Sequence, residues 1–379
     1  MNCLTNKSKW LLLMLLAFVL SACSSDKEET PPVAPMATGS SNELLVIFPV
    51  DQLGDSGYAD EVMSGITSLR ELNMNLGTDT LDVLFFMPLE CNQMITEISE
   101  WLKEGENPFY GVPYKRRLLI LADSYMLDWI EDFREDMRPN DEILVLRAVE
   151  EDVKPVAAAL GLEGRLHALN ISAAGSVRKF REFTDSMMVL YKDNIIDDVK
   201  PNYDQIPLFR IYHDTLYHYR DSLAEALAEV FPETELQTQT FLEEVGDALW
   251  SIEYEKPLIQ VAYDMAEEMM KYFKNSSSGI TYAVVDLGAA NGGWDFYLLN
   301  VYGSVYTTLM LDATPSPFLN RMAITRKFGK AVDGWVKNWL QQPVGSMPVF
   351  EGHGTWDGYC VDDIDSRLKV LSDYRNSLQ

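Results

Sequence analysis

At 379 residues, with 47% hydrophobic and 23% charged side chains, the chain has the size and composition of two globular domains and none of the marks of a disordered one. Its formal net charge of −27 excludes docking on nucleic acid or on anionic lipid through a basic patch, because both need clustered Lys and Arg. The charge itself names no partner.

Residues 1–22 read as a signal peptide. Lys7 and Lys9 precede an apolar run from Trp10 to Leu20, too short to remain as a spanning helix. The tetrapeptide Leu20-Ser21-Ala22-Cys23 resembles the bacterial lipobox, in which the cysteine is acylated after cleavage. That resemblance implies a lipid anchor on Cys23 (palmitate among its chains), and stable attachment to a membrane without a spanning segment. Cleavage would remove Lys7, Lys9 and no acid, leaving a mature charge of −29. The acidic run Asp26-Lys27-Glu28-Glu29 resembles the signal that carries some Gram-negative lipoproteins to the cell surface. The expected location is the Gram-negative envelope, anchored at the outer membrane and facing either the periplasm or the exterior. Residues 23–42, with Pro31, Pro32, Pro35 and several Ser and Thr, read as acylated Cys and flexible tether. Cys91 and Cys360 are the cysteines of the body proper; without a CxxC pair they read as buried thiols or as one disulfide, with no metal centre.

From residue 43 the chain alternates apolar runs with helical periodicity. Strands are expected at 44–50, 81–87, 118–122 and 143–146, with helices at 58–74, 92–104 and 124–136 between them. The uninterrupted apolar runs suit strands buried on both faces of a parallel sheet. The style repeats in a second half. Strands are expected at 166–171, 208–212, 238–245, 280–285 and 305–311, and helices at 175–191, 214–230, 257–274, 317–340 and 364–376. The resulting fold class is α/β, two doubly wound parallel-sheet lobes. Lobe 1 is expected at 43–155, lobe 2 at 156–345, and a crossover strand and helix at 346–379. Ligands of such sheets bind beyond the carboxyl ends of the strands.

The segment Leu45-Val46-Ile47-Phe48-Pro49-Val50-Asp51-Gln52-Leu53-Gly54-Asp55-Ser56-Gly57-Tyr58-Ala59-Asp60, running into a helix with Gly65, resembles the opening of the basic membrane lipoprotein (BMP) family of substrate-binding proteins. Asp51, Gly54, Asp55 and Tyr58 fall on its strand, acid, turn and aromatic positions; Ala59 departs from its usual Asn. The resemblance implies the type 1 periplasmic-binding fold and a small polar ligand, often a nucleoside. Asp51 and Asp55 can accept hydrogen bonds from a diol, and Tyr58 can stack on a flat ligand face. The same Asp-x-x-Gly-Asp pattern also turns a chain and caps a helix.

Three further candidates follow from position. Asp123, after the third strand, either meets ligand or caps the next helix. Asp286 closes a strand of the second half. Gly288 and Gly292 lie in the glycine-rich loop 288–293, which either offers backbone to a ligand or simply turns strand into helix, and which has no P-loop lysine. The expected metal and cofactor content is none: His213 and His218 are five apart, and no HExxH or Gly-x-Ser-x-Gly occurs. The function expected is solute capture between two lobes, without catalysis, with a transporter or a surface protein as partner. A lipoprotein whose cleft has degenerated and which acts through protein contacts is the alternative, and an exported hydrolase a more distant one.

Overall fold

The computed structural model describes residues 39–48, 58–70, 80–87, 91–171, 173–192, 208–213, 236–240, 281–286, 307–311, 321–343 and 360–377, together with residues 53, 263, 267 and 345. Cys23, Asp51, Asp55, Gly288, Gly292 and the helices expected at 214–230 and 257–274 lie outside the described residues, apart from positions 263 and 267.

The first sheet holds β1 (Ser41–Ile47), β2 (Thr80–Phe86), β3 (Tyr114–Leu121), β4 (Asp141–Leu146) and β5 (Leu166–Leu169) in the order β2-β1-β3-β4-β5, all parallel. Every residue of β1 and β4 is buried. Their side chains alternate between two cores, as the pleat requires. Leu44, Val46 and Phe48 face a core shared with α1 (Tyr58–Arg70), while Leu45 and Ile47 face one shared with α2 (Cys91–Lys103). β1 begins two residues before the expected start of the body, and Ser41 and Asn42 are buried in it.

The segment expected as one helix from 124 to 136 is a 3₁₀ turn (Ser124–Trp129), a single turn of α-helix, α3 (Ile130–Phe133), and a second 3₁₀ turn (Arg134–Asp136). α4 (Glu150–Leu160) stops at Gly161, whose φ of 66° suits a residue without Cβ. β5 then pairs with β4, so the first sheet runs past residue 155 to Leu169.

After α5 (Ala174–Lys192) comes the second sheet. It holds β6 (Leu208–His213), β7 (Leu236–Thr240), β8 (Thr281–Asp286), β9 (Thr307–Leu311), β10 (Arg321–Arg326) and β11 (Cys360–Asp362), in the order β11-β10-β9-β8-β6-β7. Only the β10–β11 pairing is antiparallel.

The expected helix at 317–340 is in fact β10 followed by α6 (Phe328–Gln341). The two meet at Lys327, whose ψ of 59° is not helical. The helical spacing begins only at Phe328, and Phe328, Ala331, Val332, Trp335, Val336 and Trp339 form one apolar face. That face does not stay with the second sheet. It packs on α1 and on β1, β3 and β4 of the first, closing that lobe's core. Residues 328–341 therefore belong structurally with the first lobe, although the sequence placed them in the second. α6 meets α1 backbone to backbone: a Cβ on Gly65 would lie 2.1 Å from the Gly329 carbonyl oxygen, and one on Gly329 would lie 2.0 Å from that of Glu61. α7 (Ile364–Ser377) packs against α5, where Ser176 Oγ donates to Asp362 (2.5 Å) and Lys179 to Asp365 (2.7 Å).

Among the described residues no helix is long and apolar enough to cross a membrane.

Candidate functional site

The carboxyl edge of the first sheet gathers residues from several strand ends. Asp123 follows β3 and Arg147 follows β4. Their side chains are fully buried and form an ion pair at 2.9 Å. Asp123 stands at the N-cap of a 3₁₀ turn but makes no side-chain capping bond; its carboxylate goes to Arg147 and accepts from Ser124 Oγ (3.3 Å). Of the two roles open to it in the sequence, helix capping is therefore not the one it takes.

Arg147 has φ 59°, the only positive φ of a non-glycine residue among those described. A left-handed arginine costs about 1 kcal/mol or more and persists only where its surroundings hold it. Here its amide donates to the Leu169 carbonyl (2.9 Å) and its guanidinium lies 5.2 Å from the Tyr58 ring centre. Tyr58, the first residue of α1, is 2% exposed and meets Phe328 edge to face at 4.9 Å. Arg326, the last residue of β10, lies 5.4 Å over the other side of that contact, on the Phe328 ring.

The order Asp123, Arg147, Tyr58, Phe328, Arg326 thus runs from an ion pair through an aromatic pair to a second arginine, from the first sheet to the last parallel strand of the second. Each cation–ring contact of this kind is worth about 0.5–2 kcal/mol. Lys327, between the two sheets, is tied to Glu61 of α1 at 3.0 Å. Tyr58 and Asp123 are therefore brought together, through Arg147. Asp286 closes β8, in register with His213, at the carboxyl edge of the second sheet.

The sequence reading passed over Arg147, Arg326 and Phe328. Arg147 could have been found by the same rule that singled out Asp123, since it immediately follows a buried strand. Arg326 and Phe328 were hidden inside the presumed long helix.

The amino edge of the same sheet is also charged, in a different manner. Arg117 forks onto Asp141 (2.9 and 2.7 Å) and donates to the carbonyls of Trp101 and Leu102 at the end of α2 (2.6 and 2.9 Å). Arg116 binds Glu142 (2.5 Å) and donates to the carbonyls of Trp339 (2.5 Å) and Gln342, capping the end of α6. Glu142 also meets His167 Nε2 (3.0 Å) and accepts from Trp339 Nε1 (3.1 Å). Burial pushes the Glu142 carboxyl up, but hydrogen bonds from His167 and Arg116 outweigh it and hold the group below the usual range.

A third cluster is acidic. Glu43 of β1 and Asp82 of β2 are register partners, and Asn107 Nδ2 reaches both, at 3.1 and 2.6 Å. Burial raises Glu43 to about 7 and raises Asp82 as well.

Among the described residues no group of three or more His, Cys, Asp and Glu side chains is placed to hold a metal ion. The sequence matches no protein-family model, and no curated protein matches it. Solved structures do resemble it. An ABC transporter solute binding protein from Bacillus halodurans C-125 with bound myo-inositol superposes with a TM-score of 0.52 at 10% identity, over 89% of this chain and 99% of that one. An ABC transporter solute binding protein from Agrobacterium vitis with bound allitol gives 0.50 at 8% identity, over 87% and 99%. At such identities the likeness concerns architecture, and it agrees with the sheet orders described above: the chain has the two-lobed α/β fold of the type 1 periplasmic-binding proteins.

Proposed function

We propose that the chain is a lipid-anchored solute-binding protein that closes its two lobes on a small polar ligand and performs no chemistry on it. The observation that carries this reading is the carboxyl edge of the first sheet. There a strained, buried Arg147 pairs with Asp123 and stacks toward Tyr58, beside the crossover that brings Arg326 from the second sheet. Strain of this kind concentrates at ligand clamps. The ligand class is a polyhydroxylated or nucleoside-like molecule. The polyols in the two similar structures support the first, and the Asp51-to-Tyr58 resemblance to the BMP family supports the second. Within this reading Cys23 carries the acyl chains, the body sits at the outer membrane of a Gram-negative envelope, and a transporter or surface protein receives the solute.

One observation favours the alternative of a protein-interaction lipoprotein with a degenerate cleft. Asp123 and Arg147 have no exposed side-chain surface and bind each other.

The deciding experiment is a thermal-shift screen of the full chain in detergent against polyols, sugars, nucleosides and amino acids. A ligand at a hundred times its Kd stabilises by about 2.7 kcal/mol. Solute capture requires a hit that weakens in Tyr58→Ala. A flat screen over all four classes transfers the assignment to protein interaction.

A further inference from the structure

The acidic cluster at the amino edge lies far along the strands from the proposed ligand site, and that site makes no use of it. Its centre is Asn107, fully buried in the loop between α2 and β3. The Asn107 amide nitrogen lies 3.1 Å from Ser41 Oγ, 3.1 Å from Glu43 Oε2 and 2.6 Å from Asp82 Oδ2. That nitrogen carries two hydrogens, so it cannot serve three acceptors. With both carboxyls ionised, two charges would also face one another across a single amide in a buried site. A proton on Glu43 or Asp82 removes one charge, and on Asp82 Oδ2 it can be donated to Ser41 Oγ, 3.4 Å away, which frees the two amide hydrogens for the carboxyls.

The other end of the same side chain organises the loop. Asn107 Oδ1 accepts from the amides of Phe109 (2.9 Å) and Tyr110 (3.2 Å). The Asn107 backbone closes the turn through Gly111 N–H (2.8 Å) and the Val112 carbonyl (2.9 Å). Phe109 itself is 73% exposed, so apolar packing does little to hold this loop in place.

We infer that Glu43, Asp82 and Asn107 form a proton-operated clamp on the loop 105–113: one proton shared by the two carboxyls keeps Asn107 seated and the loop ordered, and its loss releases both.

The groups around Glu43 reinforce this. Asp82 faces it from β2 and Glu104 from the end of α2, both disfavouring its charge, while Trp101 Nε1 and Tyr114 donate toward it. Tyr110 of the loop approaches Asp82. Of the cations on adjoining elements, Arg117 is bound to Asp141 and the α2 carbonyls. Arg138 donates to the carbonyls of Lys103, Glu104 and Gly105, and Lys103 pairs with Asp136.

The test is amide hydrogen exchange of the full chain between pH 5.5 and 8.5, corrected for intrinsic rates. Protection of the Phe109, Tyr110 and Gly111 amides should fall roughly tenfold or more across that range, the factor that one unit of pKa linkage provides. Amides of β3 from Leu118 to Leu121 should stay constant. Glu43→Gln, which keeps the shape and carries no charge, should hold the loop protected at every pH, and Asp82→Asn should flatten the dependence. The inference is overturned if wild-type loop protection does not change with pH, if the β3 amides fall in parallel, or if the dependence survives in both variants. The wild-type titration decides the matter even if a variant fails to fold.

Discussion

The two edges of the first sheet carry similar residues to different ends. At the amino edge, Arg116 and Arg117 each hold a carboxylate and also the closing carbonyls of a helix, α6 and α2 respectively. All of those groups belong to one lobe, and moving the second lobe would leave them untouched. At the carboxyl edge, Arg147 sits in a left-handed backbone conformation and connects through Tyr58 and Phe328 to Arg326, the end of a second-sheet strand. A rotation of one lobe against the other must rearrange that edge. Charge at the first edge fastens helices to a sheet; charge at the second joins a chain of contacts that reaches the second sheet.

This contrast can be broken most directly by removing one arginine from each edge. Arg116→Met and Arg147→Met each remove the arginine bound to a buried carboxylate, Glu142 keeping His167 and Trp339 Nε1, and each should cost about 3–5 kcal/mol in urea denaturation. Adding a leucine in place of each acid separates them. Asp123→Leu should restore much of the stability of Arg147→Met. Glu142→Leu should restore little in Arg116→Met, because His167, Trp339 Nε1 and the α6 carbonyls lose their partners too. Equal recovery at both edges would refute the contrast.

Next in size is the helix contact that joins α6 to the lobe. Gly329→Ala or Gly65→Ala places a methyl within about 2 Å of backbone and should destabilise by about 3 kcal/mol, since backbone must move to admit it. Smaller is the effect of pH on the amino edge, where two glutamates respond in opposite senses. Glu142, held low, contributes stability above the ordinary carboxylate pKa and loses it as the solution becomes more acidic. Glu43, raised from 4.5 to about 7, binds its proton more tightly when folded, so its contribution is fully present only below pH 4.5 and is lost as the pH rises through about 7. The difference in urea midpoint between wild type and Glu43→Gln should therefore change as the pH rises from 4.5 through about 7 and level off only at higher pH. The smallest effect is at the crossover: Lys327→Ala, removing a part-exposed pair with Glu61, should cost under about 1 kcal/mol.

The central strands of the first sheet were legible because a strand buried on two faces must be apolar throughout, as Leu44–Phe48 and Ile143–Leu146 are. Arg321–Arg326 lacked that signature: charged at both ends and followed at once by the strong periodicity of α6, it merged with the helix. The return of α6 to the first lobe could not be read from periodicity, which shows that a face is apolar but not which sheet it covers. Asp123 was found because a rule of topology points to strand ends. Its role stayed open because capping and ion pairing differ only in which group lies opposite, and that group, Arg147, is 24 residues away.

The late arrival of α6 has a consequence for how the chain is made. Trp335, Trp339 and Phe328 cover a sheet face whose strands are all complete by Leu169. In a chain that emerges N-terminus first, that face waits for residue 341. Until then Leu44, Val46, Leu118 and Leu144 lack the helix that buries them. The first lobe is thus a non-local fold that its own opening half cannot finish. A circular permutant that begins at α6 would remove the wait, and should fold faster than the natural order of the same residues.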